Sequence, residues 1–466
     1  MSTSDFDRGV MIDCGRKYFS PRSLELLIAG MSELGLDFLE LHFSEDMGVG
    51  IECPAYPWLA GRDGILCTQG KTGECPSDPR VLSREDLRMI AGYARGKGIR
   101  IIPSYDSPGH LNYTVKRFCE MAARPGGLSY SFGGHDYHVS AVEVAGSSAA
   151  EGESGGGQSA GQSDGKTSGR ENLTAAKEYR YSFLRDGVPV PLTGTGPLIH
   201  GIGSYFEYGG VISRVAGTNN RDFPRGINIA FEPAVAFIRS VLDSYARMFR
   251  EAGCDGIDIG GDELLGFAPA VADTSAVPRW AQLDAWKKAA AEKYGEGAVA
   301  YDLFVGYMNT LYGDMKKLGY REVRTWNDEF MRSSDTGWSR GAGHVQPDPG
   351  FTVQYWSSKP AFAPPGEIAA AGHRLINCAS AYCYYVLTDK ARCSPPLAYA
   401  KCDPEHIAAE WDPRVYSDGG EPDAVPSGAM FCIWCDSPGL RTDTEAAEEA
   451  LPLIAAFAAA SRNLIR

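Results

Sequence analysis

Gly256-Ile257-Asp258-Ile259-Gly260-Gly261-Asp262-Glu263 is the stretch on which the reading of this chain turns. Apolar residues alternate along it as on a buried strand. Two glycines follow, then two adjacent carboxylates. Glycine lets backbone and ligand approach closely just before the acids. Neighbouring side chains at a strand end point in different directions, so Asp262 and Glu263 can take different tasks around one substrate. Two carboxylates with divided roles are what glycosidic-bond cleavage requires. An isolated Asp-Glu pair would more simply be a solvated loop. The glycines, the strand before them and the groups at other strand ends argue against that.

Outward from this segment, short apolar runs alternate with amphipathic helices. Val10–Asp13 reads as a first strand. Ser20-Pro21 then supplies a cap and a first-turn proline, and Leu24, Leu27, Ile28, Met31 and Leu34 follow at helical spacing. Leu36–Phe43 is the second strand. Ser83 caps the next helix, and Ile99–Tyr105 is the third strand. Helices striped by Phe237, Val241, Tyr245 and Phe249, and by Tyr307, Leu311 and Met315, precede the Asp258 strand and a strand ending at Trp326. Further strands fall at Phe351–Tyr355, Arg374–Asn377 and Ala429–Trp434, with a last helix from about Thr442. The pattern predicts an α/β fold, a (β/α)8 TIM barrel. Residues 8–466 form one catalytic barrel in this reading. Gly146–Arg170 is nearly all Gly, Ser, Ala, Gln and charged residues. It reads as a flexible insertion between strands three and four, near the rim that carries the site.

Composition limits the function classes. The chain has 466 residues, 44% of them hydrophobic and 11% aromatic, and a formal charge of −14. That acidic balance excludes the basic face of a nucleic-acid binder. No apolar run approaches the roughly 20 residues of a membrane span. The first residues lack the charged and apolar regions of a secretory leader, so a cytoplasmic protein is expected. The 12 cysteines show no zinc-type spacing and are expected to be reduced and packed, although Cys53, Cys67 and Cys75 share one loop region. No cofactor and no resident metal are expected.

Polar and aromatic residues mark every proposed strand end. Arg16 follows the first and His42 ends the second. Asp106 and His110 follow the third, and Asp262 and Glu263 the fourth. Trp326-Asn327-Asp328-Glu329 marks the fifth, Gln354 and Trp356 the sixth. Tyr382 and Tyr384 lie in the loop after the seventh, and Trp434 and Asp436 follow the eighth. Each alone reads as packing. Together they occupy the face that holds the active site in a barrel of this kind.

In these motifs the chain resembles the glycoside hydrolase family 20 β-N-acetylhexosaminidases. Gly260-Gly261-Asp262-Glu263 is similar to the family's signature, and Asp106-Ser107-Pro108-Gly109-His110 to its Asp-x-Pro-Gly-His element. Asp13-Cys14-Gly15-Arg16, Leu41-His42-Phe43-Ser44 and Ile433-Trp434-Cys435-Asp436 resemble its first-, second- and last-strand motifs. Ser104 stands where the family often has Glu, Glu45 where Asp is usual, and Gly50 where Arg is common. Tyr382-Cys383-Tyr384 replaces a frequent Tyr-x-Asp.

The resemblance implies an exo-acting, retaining, substrate-assisted hydrolase of oligosaccharides ending in N-acetylhexosamine. Glu263 would be the general acid, its proton held by burial beside charged Asp262. Asp262 would orient the acetamido group, and Tyr382, or alternatively Tyr384, would bond the acetamido oxygen. Arg16 and Asp436 would hold sugar hydroxyls, and Trp326, Trp356 and Trp434 would wall the sugar. His42, Asp106 and His110 complete the expected binding set. Asp106 and His110 are expected to form either a relay to Glu263 or a structural bond fixing the loop. Three other readings compete. A lacto-N-biosidase would release a disaccharide. A metal-dependent barrel hydrolase would use the same acids and histidines as ligands and would respond to a chelator. A non-catalytic sugar-binding protein would not cleave an aryl N-acetylglucosaminide.

Overall fold

The computed structural model describes residues 6–62, 79–143, 179–191, 211–212, 226–263, 284–327, 330–331, 344–358, 362–387, 402–417 and 420–462. Eight parallel strands close on themselves: β1 (Asp7–Asp13), β2 (Phe38–His42), β3 (Arg100–Ser104), β4 (Gly256–Asp258), β5 (Glu322–Trp326), β6 (Phe351–Tyr355), β7 (Arg374–Asn377) and β8 (Gly428–Trp434). The closing pair is β1 with β8, registered from Asp7 opposite Gly428 to Ile12 opposite Ile433. This is the (β/α)8 barrel the periodicity predicts.

Alternation within each strand decides what faces inward. Leu39 and Leu41 of β2 join the large core between strands and helices, as do Ile257 of β4, Val323 of β5 and Phe431 and Ile433 of β8. The residues between them face the barrel interior. Phe38, Ile102, Trp326, Ile376, Met430 and Cys432 form a second, smaller cluster there. Glu40, Asp258, Arg324 and Gln354 are also fully buried inside the barrel. Arg324 meets Glu322 at 3.0 Å and Glu40 at 3.3 Å, and its guanidinium lies 4.0 Å from the Phe38 ring centroid. A charged layer is therefore sealed beneath the rim.

The helices begin where the sequence places their caps. Ser20 accepts the Ser23 N–H ahead of Pro21–Glu33, and Ser83 with Asp86 forms a capping box at Arg84–Gly96. Thr442 and Glu445 do the same for the closing helix, Asp443–Ser461. Among the described residues, no helix is long and apolar enough to cross a membrane.

Two regions differ from the sequence reading. The excursion between β3 and β4 contains a five-stranded antiparallel sheet built on Leu128–Phe132, His135–Glu143 and Tyr179–Arg185. Gly133 and Gly134, both at positive φ, make the two-residue turn of its first hairpin. Leu128 and Tyr130 are buried while Ser129 and Ser131 are exposed. That face packs through Tyr130 and Phe183 on Phe118 and Phe237. The Gly146–Arg170 stretch lies outside the described residues, between two paired strands of this sheet in the chain.

The seventh strand is also interrupted. β7 pairs with the start of β8, and the one-turn helix Ser380–Cys383 follows. Tyr384–Val386 then pairs with the end of β8, Tyr384 opposite Cys432 and Val386 opposite Trp434. Tyr382 and Tyr384 thus belong to a helix and a strand, not to a loop.

Candidate active site

The turn carrying the two acids is set by its glycines. Gly260 and Gly261 have φ of +75° and +104°. A Cβ on Gly260 would lie 2.7 Å from Asp106 Cα, and one on Gly261 2.6 Å from Thr325 Oγ1. Both φ values and both close approaches demand glycine. Thr325 donates to the Gly260 carbonyl at 2.7 Å, and the Trp326 N–H reaches the same oxygen at 3.0 Å. β5 thereby holds the turn in place.

Asp262 and Glu263 meet at His110. Its Nε2 is 3.6 Å from Asp262 Oδ2 and 3.5 Å from Glu263 Oε2. The Asp262 side chain is 12% exposed and that of Glu263 23%, so Glu263 is the more accessible acid. On its other side, His110 Nδ1 faces Glu45 at 3.1 Å and Asp46 at 3.5 Å. Burial alone would lower the His110 pKa. Glu45 and Asp262 outweigh it and hold the imidazole well above its ordinary value, so it is a cation at neutral pH. A cation at this distance offsets part of the like-charge repulsion between the two acids.

Arg16 is fixed by three strand ends. Asp13 Oδ1 accepts its backbone N–H at 2.9 Å, and Oδ2 accepts its guanidinium at 2.8 Å. Asp13 Oδ2 also takes the Cys435 N–H at 3.1 Å, tying β1 to the end of β8. Glu45 meets the same guanidinium at 2.6 Å, with Asp436 at 3.9 Å. Burial would raise the Glu45 pKa, but Arg16 and His110 hold the carboxyl well below the usual range. The Asp436 carboxyl is pushed up by burial, partly offset by Arg16.

Aromatic rings close the other side. Trp326 and Trp434 have centroids 6.0 Å apart, Tyr384 and Trp434 5.8 Å, and Trp356 stacks on Tyr384 at 6.1 Å. Arg16 lies 5.3 Å from the Trp434 centroid. Tyr384 belongs to the inner cluster with these indoles, whereas Tyr382 packs in the outer core. Asp328 and Glu329 lie outside the described residues.

His42 and Asp106, both expected at the site, pair with each other. His42 is 1% exposed and stands edge-on to Trp434 at 5.1 Å. Asp106, equally buried, pairs with His42 at 3.2 Å and not with His110. The acids on the Nδ1 side of His110 are Glu45 and Asp46, with Asp46 unanticipated. The Leu41-His42-Phe43-Ser44-Glu45-Asp46 run could have revealed both, since they follow β2 directly. Asp258 was also missed, although its position between Ile257 and Ile259 aims it into the barrel.

His42, Glu45 and Asp106 bring ligand atoms within 4.8 Å of one another, as do Glu45, Asp46 and His110. Arg16 already sits on Glu45, and a dication there would face a fixed guanidinium. The donor set is better matched by two imidazolium ions than by a metal.

Fold and site together define a (β/α)8 barrel whose C-terminal rim carries paired carboxylates, an Arg–carboxylate cluster and an indole wall. The chain belongs to glycosyl hydrolase family 20: the catalytic domain of that family matches residues 7–151 and 212–461. A β-hexosaminidase from Emericella nidulans is 33% identical over 103 residues, which are 22% of this chain and 15% of that protein. A lacto-N-biosidase from Bifidobacterium bifidum is 22% identical over 250 residues, 53% of this chain and 19% of that protein. The matched stretch thus spans under a fifth of either relative. Among solved structures, dispersin B superposes with a TM-score of 0.56 at 19% identity, over 97% of this chain and 98% of that one. The exo-β-N-acetylglucosaminidase of Vibrio harveyi gives 0.58 at 17% identity, over 98% of this chain and 54% of that one.

Proposed function

We propose that this chain is an exo-acting β-N-acetylhexosaminidase that removes terminal β-linked GlcNAc or GalNAc from oligosaccharides with retention of configuration. The observation that carries the reading is the convergence of Asp262 and Glu263 on one His110 nitrogen, beside an indole wall. Glu263 donates a proton to the glycosidic oxygen. The acetamido carbonyl oxygen of the substrate bonds to C1 as the aglycone leaves, giving an oxazolinium ion. Asp262 accepts the acetamido N–H and stabilises the positive charge, an electrostatic and positional contribution. Glu263, now a carboxylate, takes a proton from the water that reopens the ring. The Tyr384 hydroxyl, on the indole side, is the donor to the acetamido oxygen in preference to Tyr382. Arg16 and Asp436 hold hydroxyls, and Trp326, Trp356 and Trp434 pack on the apolar faces of the sugar.

Incubation with aryl N-acetyl-β-glucosaminide and -galactosaminide tests this reading. Release of the aryl alcohol with β-product is expected, and no release from either substrate rejects it, including in favour of a binding protein. The second reading is a lacto-N-biosidase, favoured by the longer match to the Bifidobacterium protein. Product analysis on an oligosaccharide ending in lacto-N-biose separates them: a monosaccharide supports the first reading and an intact disaccharide the second.

A further inference from the structure

Asp258 is fully buried, faces the barrel interior and has no task in the scheme above. Its Oδ2 accepts the Ser104 hydroxyl at 2.6 Å, and its Oδ1 the Gly260 N–H at 3.3 Å. Ser104 Oγ is also 3.0 Å from His42 Nδ1. The hydroxyl has one proton and gives it to Asp258, so toward His42 it accepts, and Nδ1 carries hydrogen. On the far edge of the ring, Nε2 faces Asp106 at 3.2 Å and Glu45 at 3.5 Å. Two carboxylates there favour hydrogen on Nε2 through their charge, without a hydrogen bond to it. The Nδ1 hydrogen bond and the two carboxylates facing Nε2 together favour an imidazolium. Burial would lower the His42 pKa, but Asp106 and Glu45 hold it well above its ordinary value, in agreement. Burial raises the pKa of Glu40, below on the same strand, to about 7, and burial with Glu40 and Asp106 beside it holds Asp258 well above the usual carboxylate range.

This buried unit touches the site twice. Asp106 lies against the Gly260 turn, and Glu45 bonds both Arg16 and His110. Ser104 stands where the resembling family often has Glu. Here the neighbouring strand supplies the carboxylate instead.

We propose that Asp258 is a positioning residue: through Ser104 it keeps His42 doubly protonated and turned toward Asp106 and Glu45, and through Gly260 it anchors the turn that presents Asp262 and Glu263. The effect on turnover rests on the hexosaminidase reading; the state of His42 does not.

The test compares Ser104→Ala, Asp258→Ala, their combination, and Asp258→Asn, which keeps a carbonyl acceptor for Ser104. Ser104→Ala and Asp258→Ala should each lower kcat about tenfold, with KM changed by less than about twofold, since the hydroxyl contacts are untouched. The combination should be no worse than the poorer single variant, and Asp258→Asn should recover most of the loss. Wild-type kcat in Ser104→Ala, additive losses, or an Asp258→Asn variant as slow as Asp258→Ala would each overturn the proposal. Should Asp258→Ala fail to fold, Ser104→Ala still removes the bridge at the cost of one hydroxyl. Imidazole ¹⁵N shifts, with the His42 signals assigned through His42→Gln, give a readout independent of turnover. Both His42 nitrogens should be protonated at pH 7.5 in the wild type, and Ser104→Ala should lose that state at lower pH. Unchanged titration overturns the proposal. If the wild type hydrolyses neither aryl glycoside, the functional reading fails and the ¹⁵N titration alone decides the role of Asp258.

Discussion

His110→Gln removes a cation from among four carboxylates while keeping a polar side chain of similar reach. Its ring nitrogens lie 3.1 Å from Glu45, 3.5 Å from Asp46, 3.6 Å from Asp262 and 3.5 Å from Glu263. At an effective dielectric of about 20, a unit pair at 3.5 Å has a gross attraction of about 5 kcal/mol. These attractions are not additive, and desolvation cancels much of them. Removing one partner from a buried ionic cluster leaves a net cost of about 3–5 kcal/mol. The sign of the pH dependence follows from linkage. The His110 pKa is raised on folding, so its contribution is fully present below about pH 6.5, the ordinary imidazole value. It is lost as pH rises through the elevated folded value. His42 shifts the same way and titrates in both proteins, and the Glu45 it shares with His110 couples the two. Denaturant midpoints of wild type and His110→Gln, measured from pH 5.5 to 9.5, should therefore differ most at the acid end and converge at the alkaline end. Turnover should also fall, by about 10²-fold if the acids move by about 1 Å. A stability gap that is absent, or constant across that range, would refute the assignment of His110 as the cation that holds both acids.

Glu263→Gln should lose about 10²–10⁴ in kcat on substrates with poor leaving groups while still binding a thiazoline mimic of the cyclised sugar. Asp262→Asn should lose about 10²–10³ in kcat, and its unchanged turnover in a stopped aryl-glycoside assay would remove acetamido orientation from the scheme. Tyr384→Phe should reduce kcat by more than Tyr382→Phe, because Tyr384 joins the indole cluster and Tyr382 the outer core; the reverse order in steady-state kinetics would restore Tyr382. Prolonged dialysis against a chelator should leave hydrolysis unchanged, and loss of activity restored by a divalent cation would put a metal in the His42–Glu45–Asp106 cluster.

The barrel was legible because its signals are local. Period-two alternation, capping residues such as Ser83 and Thr442, and glycine turns act within a few residues of one another. The Asp262–Glu263 turn was legible for the same reason: Gly260 and Gly261 precede it directly and bear its close approaches. The antiparallel sheet after Ala122 was passed over although Gly133-Gly134 marked its first hairpin. Its partner strands, His135–Glu143 and Tyr179–Arg185, are separated in the chain by the low-complexity stretch, and nothing local pairs them.

What tertiary structure alone decided is which charge faces which. His110 and Glu45 are 65 residues apart in the chain, and Ser104 and Asp258 154 apart. Asp106, four residues from His110, looked like its partner and is not. Barrel closure turns alternate side chains of different strands into one interior layer, and the splitting of the seventh strand carries Tyr384 up beside Trp434. Sequence determined the strands, their inward faces and the turn that carries Asp262 and Glu263, because hydrophobic period and backbone conformation are properties of short segments. The pairing of buried charges was decided in three dimensions, because Coulomb energy and desolvation depend on distance through the folded barrel and not along the chain.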